Sequence, residues 1–187
     1  MTFPDFYMIT GKFSDTSEFT EKLECALREG NKIVQLRCKQ ISDVDQYLAL
    51  AEIAQEICDR YDTTLLLATD AESFRRSSAG GLHLTSDALA GCEERPVEEG
   101  KLLSVSCHTA EDLALAQRLG ADILLLSPVK ATSSHPGVPG IGWQAFREMT
   151  AGIDHPVYAL GGMAASDLQD AKAAGAAGVA AISSFWK

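Results

Sequence analysis

The sequence lacks paired cysteines, long apolar runs and an excess of positive charge. No CxxC spacing occurs among its five cysteines, which are Cys25, Cys38, Cys58, Cys92 and Cys107. The odd count excludes a simple disulfide framework and indicates the reduced thiols of a cytosolic protein. No apolar run approaches the roughly 20 residues that cross a bilayer, and the first ten residues carry no basic start of a secretory signal. The sequence therefore predicts a cytoplasmic protein without a membrane segment.

Positive charge is scarce. The 187 residues contain 16 Lys and Arg against 26 Asp and Glu, which gives a net charge of −10. A surface of that sign repels polyanions, so we expect neither nucleic acid nor an anionic membrane as a partner. A small anionic ligand remains compatible with it, if a local cluster of cations and backbone amides holds that ligand.

What the chain has is a regular alternation of short apolar runs and amphipathic stretches. Strands are predicted at Phe6–Thr10, Ile33–Arg37, Thr64–Ala68, Gly81–Leu84, Leu102–Cys107, Asp122–Ser127, Val157–Leu160 and Gly178–Ser183. Helices are predicted at Thr16–Glu29, Ser42–Tyr61, Ala71–Ser77, Ser86–Ala90, Thr109–Leu119, Trp143–Thr150 and Ala165–Ala174. Ser42 and Thr109 stand where helices begin, and Gly30, Gly120 and Gly175 where they end.

Eight strands alternating with seven helices predict an α/β fold, a compact (β/α)8 TIM barrel that lacks its last helix. An open doubly wound sheet is the alternative, because periodicity alone does not close a barrel. Equal spacing and the absence of a GxGxxG turn favour the barrel. No linker or low-complexity segment divides the chain, so residues 1–187 are interpreted as one domain.

In such a barrel the site lies at the carboxyl ends of the strands. The second strand ends in Gln35, Arg37 and Lys39, whose spacing of two puts them on one face. A buried strand carries such side chains if they meet a ligand, or if they form salt bridges across the barrel mouth. The third strand ends at Asp70, which indicates either a Mg²⁺ ligand or a helix cap; the residue alone favours the cap.

The fourth and fifth strands add further polar groups. His83 lies in the fourth strand and is followed by Thr85, Ser86 and Asp87. The spacing of Ser104, Ser106 and His108 puts them on one face of the fifth strand. A lone histidine in such a place is more often structural, yet it is also able to donate a hydrogen bond to a substrate.

Hydroxyls and glycines dominate the remaining strand ends. Residues 127–140 form the longest irregular stretch, in which Lys130, Thr132, Ser134 and His135 alternate with Gly and Pro. This composition favours a phosphate-binding loop over a plain flexible connection. Gly161–Gly162 and Ser183–Ser184 end the seventh and eighth strands, where such barrels commonly bind phosphate through backbone N–H groups. His155 precedes the seventh strand, at the opposite end of the barrel.

The chain resembles the thiamine phosphate synthase and TenI-type barrels over nearly its whole length. The resemblance is carried by the segments IVQLRCK, GLHLTSD, SVSCH, LLLSPVKATSSHPG, VYALGG and GVAAIS. The SHPG-x-PG-x-GW variant resembles the form of this domain attached to Nudix hydrolases, which implies a functional link to such an enzyme. The family also implies a homodimer, and an exposed apolar patch at Phe185 and Trp186 is the expected interface.

The resemblance implies a transferase that joins a pyrimidine pyrophosphate to a thiazole phosphate. It implies Mg²⁺ on Asp70 and Asp87, and catalytic roles for Arg37, Lys39, Ser106 and His135. The implied substrate-binding residues are Gln35, Arg37, Lys39, His108, Thr132, Ser134, Gly161, Gly162, Ser183 and Ser184.

Four departures from the family pattern bear on activity. Thr69 replaces the asparagine before the metal-binding aspartate, and His135 replaces the loop lysine. Ala88 stands where the second metal carboxylate is expected, so that carboxylate is either absent or shifted by one residue to Asp87. Losing such groups weakens catalysis by a factor on the order of 10². A TenI-type thiazole tautomerase is an alternative, but Pro128 stands where its basic histidine is expected, so His108 or His135 would have to substitute. A non-catalytic phosphate-binding accessory domain and another phosphate-binding barrel complete the alternatives.

Overall fold

Eight parallel strands close into a barrel in the computed structural model, which describes residues 3–132 and 137–187. The strands are β1 (Phe6–Ile9), β2 (Ile33–Leu36), β3 (Thr64–Leu67), β4 (Gly81–Leu84), β5 (Leu102–Cys107), β6 (Ile123–Leu126), β7 (Val157–Leu160) and β8 (Gly178–Ala181). Each strand pairs with the next, and β8 returns to β1 through the register Phe6↔Val179, Tyr7↔Ala180 and Met8↔Ala181. The barrel is confirmed, and the open-sheet alternative is wrong.

Seven helices connect the strands in the described part of the chain. They are α1 (Thr16–Arg28), α2 (Val44–Arg60), α3 (Ala71–Arg75), α4 (Ser86–Ala90), α5 (Ala110–Arg118), α6 (Gly142–Thr150) and α7 (Leu168–Ala173), the last preceded by a 3-10 turn (Ala165–Asp167). None of these helices is long and apolar enough to cross a membrane.

The helix ends follow side-chain chemistry. Thr109 caps α5 in a capping box with Asp112, as predicted. The predicted cap of α2 is wrong by one residue: the carboxylate of Asp43, not Ser42, accepts the Gln46 N–H at 2.8 Å. The reason is that the Asp43 carbonyl already accepts the Tyr47 N–H, which makes Asp43 the residue at the helix boundary.

Two apolar cores lie on the two faces of the strands. Alternate residues point into the barrel, where the apolar cluster consists of Tyr7, Ile9, Ile33, Leu66, Ile123, Leu125, Tyr158 and Ala180. The other strand residues pack against the helices in a larger outer core. Polar residues at inward positions near the carboxyl ends are therefore the ones that form the site.

The expected apolar patch at Phe185 and Trp186 is wrong. Both side chains are only 6% exposed, because a turn after β8 folds them back over β1 and α1. The Phe185 ring lies 5.3 Å from that of Phe6, and the Trp186 ring lies 5.5 Å from that of Phe19. The Trp186 indole N–H donates to the Lys12 carbonyl at 3.0 Å. The two rings therefore pack against β1 and α1 on the outside of the barrel.

Candidate active site

A cavity of about 700 Å³ opens at the carboxyl ends of the strands. Every strand or the loop that follows it contributes to the wall, as the barrel architecture predicts. The lining residues are Ile9, Gln35, Arg37, Lys39, Ala68, His83, Thr85, Ser86, Asp87, Ser106, His108, Ser127, Thr132, Leu160, Gly161, Gly162, Met163, Ala180, Ala181, Ile182, Ser183 and Ser184.

Two cations follow β2 into this wall. Arg37 and Lys39 take part in no salt bridge among residues 3–132 and 137–187, so the predicted alternative of an ion pair across the mouth does not occur there. Partial burial lowers the pKa of Arg37. The Arg37 backbone is held on both sides by Thr10, whose hydroxyl oxygen accepts the Arg37 N–H at 2.9 Å and donates to the Arg37 carbonyl at 3.1 Å. A positioned, partly desolvated guanidinium without a carboxylate is suited to an anionic ligand.

A glycine turn after β7 forms another part of the wall. Gly161 and Gly162 have φ values of +96° and +66°, which side chains rarely adopt. A Cβ on Gly161 would lie 2.7 Å from the Cα atom of Pro128, and one on Gly162 would lie 2.7 Å from the carbonyl oxygen of Ala131. The turn and the loop after β6 therefore pack backbone against backbone, which leaves main-chain groups at the cavity surface.

The hydroxyls after β8 lie beside this turn. Ser183 and Ser184 line the cavity, and the Ser184 hydroxyl donates to the Met163 carbonyl at 2.6 Å. Thr132 lines it from the loop after β6, whereas Lys130 of that loop pairs with Asp167 at 2.7 Å. Ser134 and His135, predicted for the same loop, lie outside the described residues.

The two predicted metal carboxylates have different positions. Asp87 lines the cavity from the first turn of α4. Asp70 is absent from the described lining and caps α3, where its two carboxylate oxygens accept the Ser73 N–H at 2.8 Å and the Ser73 hydroxyl at 2.7 Å. These hydrogen bonds lower the pKa of Asp70. No group of three or more His, Cys, Asp or Glu residues in the described chain is arranged to hold a metal.

At the base of the cavity, polar side chains inside the barrel contact one another. Buried His83 lies between two serines of β5, with Nδ1 3.0 Å from the Ser104 hydroxyl and Nε2 2.9 Å from that of Ser106. The Tyr7 hydroxyl lies 3.1 Å from Ser104 and accepts the Gln35 side-chain N–H at 3.0 Å. Burial, and to a smaller extent the charge of Arg37, lowers the pKa of His83 to about 3. Burial raises the pKa of Tyr7 to about 12. Both groups are therefore neutral at physiological pH.

His108 lies at the rim, beside the end of β6. Its Nδ1 is 2.9 Å from the Ser127 carbonyl oxygen, a bond that requires a proton on Nδ1. In the neutral ring this leaves Nε2 as the basic nitrogen.

No role was predicted for His83 from the sequence, and Tyr7 was not predicted as a site residue. Strand alternation could have identified both residues: like Gln35, Tyr7 and His83 occupy strand positions whose side chains point into the barrel. His155 does not line the described cavity, in agreement with its predicted place at the other end.

Comparisons with known proteins point to one family. The family model for thiamine monophosphate synthase matches residues 6–185. Two relatives have names that include thiamine-phosphate synthase. The one from Aquifex aeolicus is 32% identical, and the match covers 99% of both chains. The one from Streptococcus pneumoniae is 30% identical, and the match covers 94% of this chain and 84% of that one. The solved structure of a thiamine phosphate pyrophosphorylase from Pyrococcus furiosus has a TM-score of 0.76 at 21% identity and covers 96% of this chain and 85% of that one.

Proposed function

The chain belongs to the thiamine monophosphate synthase family, and from that premise we propose that it couples a hydroxymethylpyrimidine pyrophosphate with a thiazole phosphate and releases pyrophosphate. The reaction breaks the bond between the pyrimidine methylene carbon and the pyrophosphate oxygen, whose electron pair leaves with pyrophosphate. The thiazole nitrogen then donates its lone pair to the methylene carbon and forms the new C–N bond.

The observation that supports this proposal is the presence around one cavity of two separate sets of groups suited to binding anions. Arg37 and Lys39 follow β2, whereas the Gly161–Gly162 turn and Ser183–Ser184 follow β7 and β8. The apolar side chain of Ile9, at the end of β1, lines the wall between them. A site for two phosphorylated substrates with apolar rings needs this distribution: charge and N–H groups at two places, and apolar surface between.

Each set has a distinct role in the proposed reaction. Arg37 and Lys39 bind the pyrophosphate and stabilise the negative charge that grows on it as it leaves. Gly162 and Ser183–Ser184 hold the thiazole phosphate, which orients the ring nitrogen toward the methylene carbon. Ser106 lies near the transferred group, and Thr132 helps to bind phosphate.

The donor set also fits Mg²⁺, which commonly uses one or two carboxylates together with substrate phosphates rather than an all-protein cage. Asp87 lines the cavity and would hold the ion there. Asp70, which caps α3 and does not line the described cavity, is the candidate for a second carboxylate. When bound, Mg²⁺ neutralises charge on the pyrophosphate.

The test is to incubate the protein with both substrates and Mg²⁺ and to measure thiamine phosphate by mass spectrometry. We expect product, about 10²-fold less of it with Arg37→Ala, and an unchanged rate with Arg28→Ala. Arg28 is a matched control because it lies on α1, pairs with Glu24 at 2.8 Å and does not line the described cavity. Absence of thiamine phosphate while thiazole phosphate still raises the melting temperature would overturn the coupling and favour an accessory binding role.

One observation favours a second candidate, a thiazole tautomerase. His108 is hydrogen-bonded to the residue just before Pro128, so its imidazole lies beside the strand end where the tautomerase histidine is expected. Incubating a thiazole phosphate tautomer alone, without the pyrimidine, tests this: proton transfer lost in His108→Asn would support it, and an unchanged rate would contradict it.

A further inference from the structure

Four successive hydrogen bonds connect one cavity residue with another through the barrel interior. They run from Gln35 to Tyr7, from Tyr7 to Ser104, from Ser104 to His83 and from His83 to Ser106, with donor–acceptor distances of 3.0, 3.1, 3.0 and 2.9 Å. We call these five residues the buried relay. Gln35, His83 and Ser106 line the cavity, whereas Tyr7 and Ser104 have no solvent exposure.

The number of available protons gives the relay a direction. Gln35 donates its Nε2 hydrogen to Tyr7, and within residues 3–132 and 137–187 the only other partner of the Tyr7 hydroxyl is Ser104. Because a buried hydroxyl proton needs an acceptor, Tyr7 must donate to Ser104. Ser104 has one proton, and the only partner it has left in the described chain is Nδ1 of His83.

The direction then continues to the cavity. A neutral imidazole that accepts at Nδ1 carries its proton on Nε2, so His83 donates to the Ser106 oxygen. The Ser106 hydroxyl proton takes no part in the relay and is left for a group in the cavity. The opposite direction requires the Gln35 amide to present its oxygen to Tyr7 and every later bond to reverse with it.

We propose that Tyr7 and His83 are positioning residues. Through the buried relay they couple the amide orientation of Gln35 to the hydrogen-bonding direction of Ser106. This direction selects a ligand that places a lone-pair acceptor at Ser106. A ligand with only an N–H group at that point is disfavoured, because it would occupy the second lone pair of the Ser106 oxygen and leave the Ser106 proton without an acceptor. The coupling follows from the relay itself, and only the identity of the ligand, a pyrimidine ring with unprotonated nitrogens, rests on the proposed function.

The coupling is tested by ¹⁵N NMR of histidine-labelled protein at pH 8. We expect His83 to be the Nε2-protonated tautomer in the wild type. The isosteric Gln35→Glu variant replaces the amide donor by a carboxylate, which is able only to accept, so His83 should change to the Nδ1-protonated tautomer although it does not contact residue 35. A wild-type Nδ1–H tautomer, or a His83 tautomer unchanged by Gln35→Glu, would overturn the coupling.

Tyr7→Phe provides a second perturbation with a matched control. Without the Tyr7 hydroxyl, Ser104 is able to donate or accept, so the two His83 tautomers should be present together. Tyr158→Phe should leave the single tautomer, because the Tyr158 ring packs 5.7 Å from that of Tyr7 while its hydroxyl donates to the Pro4 carbonyl outside the relay. Equal spectra of Tyr7→Phe and the wild type would contradict the relay.

The ligand is tested by calorimetry with hydroxymethylpyrimidine monophosphate and its two pyridine analogues, in each of which a C–H group replaces one ring nitrogen. We expect the wild type to bind one analogue about 10- to 100-fold more weakly than it binds the pyrimidine. We expect Ser106→Ala to bind that analogue and the pyrimidine with equal affinity. Equal affinities for all three compounds in the wild type would overturn the ligand selection. If none of the three binds, the proposed function fails, and the NMR result still decides the coupling.

Discussion

The Nε2 atom of His83 lies 2.9 Å from the hydroxyl oxygen of Ser106, so an imidazole buried in the barrel is hydrogen-bonded to a side chain that lines the cavity. Burying such a ring has a cost that depends on pH, because burial disfavours its charged form.

Stability should fall in mild acid because of His83. Its folded-state pKa of about 3 is below the ordinary value of 6.5, so between these pH values the unfolded chain binds the proton and the folded chain does not. The contribution is present in full above pH 6.5 and decreases as the pH falls, by roughly 2 kcal/mol at pH 5. Urea unfolding at pH 7.5 and pH 5 measures this loss. His83→Gln should show a shallower pH dependence, and equal pH dependences would contradict the assignment.

Gly162→Ala should weaken phosphate binding as well as stability. The added methyl group meets the Ala131 carbonyl oxygen at 2.7 Å, in a residue whose φ is +66°. Gly152→Ala is the matched control, since Gly152 has a φ of +83° and nothing within 4 Å of its added Cβ. The control should lose only the backbone contribution, about 1–2 kcal/mol, and bind thiazole phosphate normally. Similar binding losses in both variants would refute a local role for the turn.

Asp70→Ala and Asp70→Asn should separate capping from charge. Asparagine is also a good N-cap residue, so Asp70→Asn should retain stability, whereas Asp70→Ala should lose about 1 kcal/mol in thermal unfolding. If Asp70 also serves Mg²⁺, Asp70→Asn raises the Mg²⁺ concentration needed for half-maximal coupling without changing the melting temperature. An unchanged Mg²⁺ requirement would restrict Asp70 to its role as a cap.

Trp186→Ala should be strongly destabilising, by about 3–5 kcal/mol, because it leaves a cavity between α1 and the barrel. Trp143→Ala is the comparison, as Trp143 is only partly buried on α6, where its ring lies 6.0 Å from that of Phe146. Denaturant unfolding of both variants should give the larger loss for Trp186. Equal losses of unfolding free energy in the two variants would contradict the larger packing contribution expected of Trp186.

The barrel could be predicted from sequence because strand and helix periods alternate in a regular order. Gln35, Arg37 and Lys39 were placed together for the same reason, since a spacing of two puts residues on one face of a strand. The relay could not be predicted, because which inward side chains meet depends on the stagger between strands. His83 is in register with Ser104, a pairing that only the assembled sheet defines.

Asp70 shows a different limit. An aspartate between a strand and a helix is suited to either a cap or a metal ligand. The residue alone favours the cap, but only its hydrogen bonds to Ser73 establish that role. Phe185 and Trp186 show a third limit, since two aromatic residues after a strand do not reveal whether a turn folds them back.

The pairing of β8 with β1 has a consequence for how the molecule assembles. Tyr158 reaches the Pro4 carbonyl and Trp186 reaches the Lys12 carbonyl, contacts that span 154 and 174 positions. Contacts so distant along the chain are slow to form, since they close long loops before any interaction offsets the lost entropy. During synthesis β1 leaves the ribosome before β8, so the nascent protein exposes an unpaired strand edge until β8 has also been made.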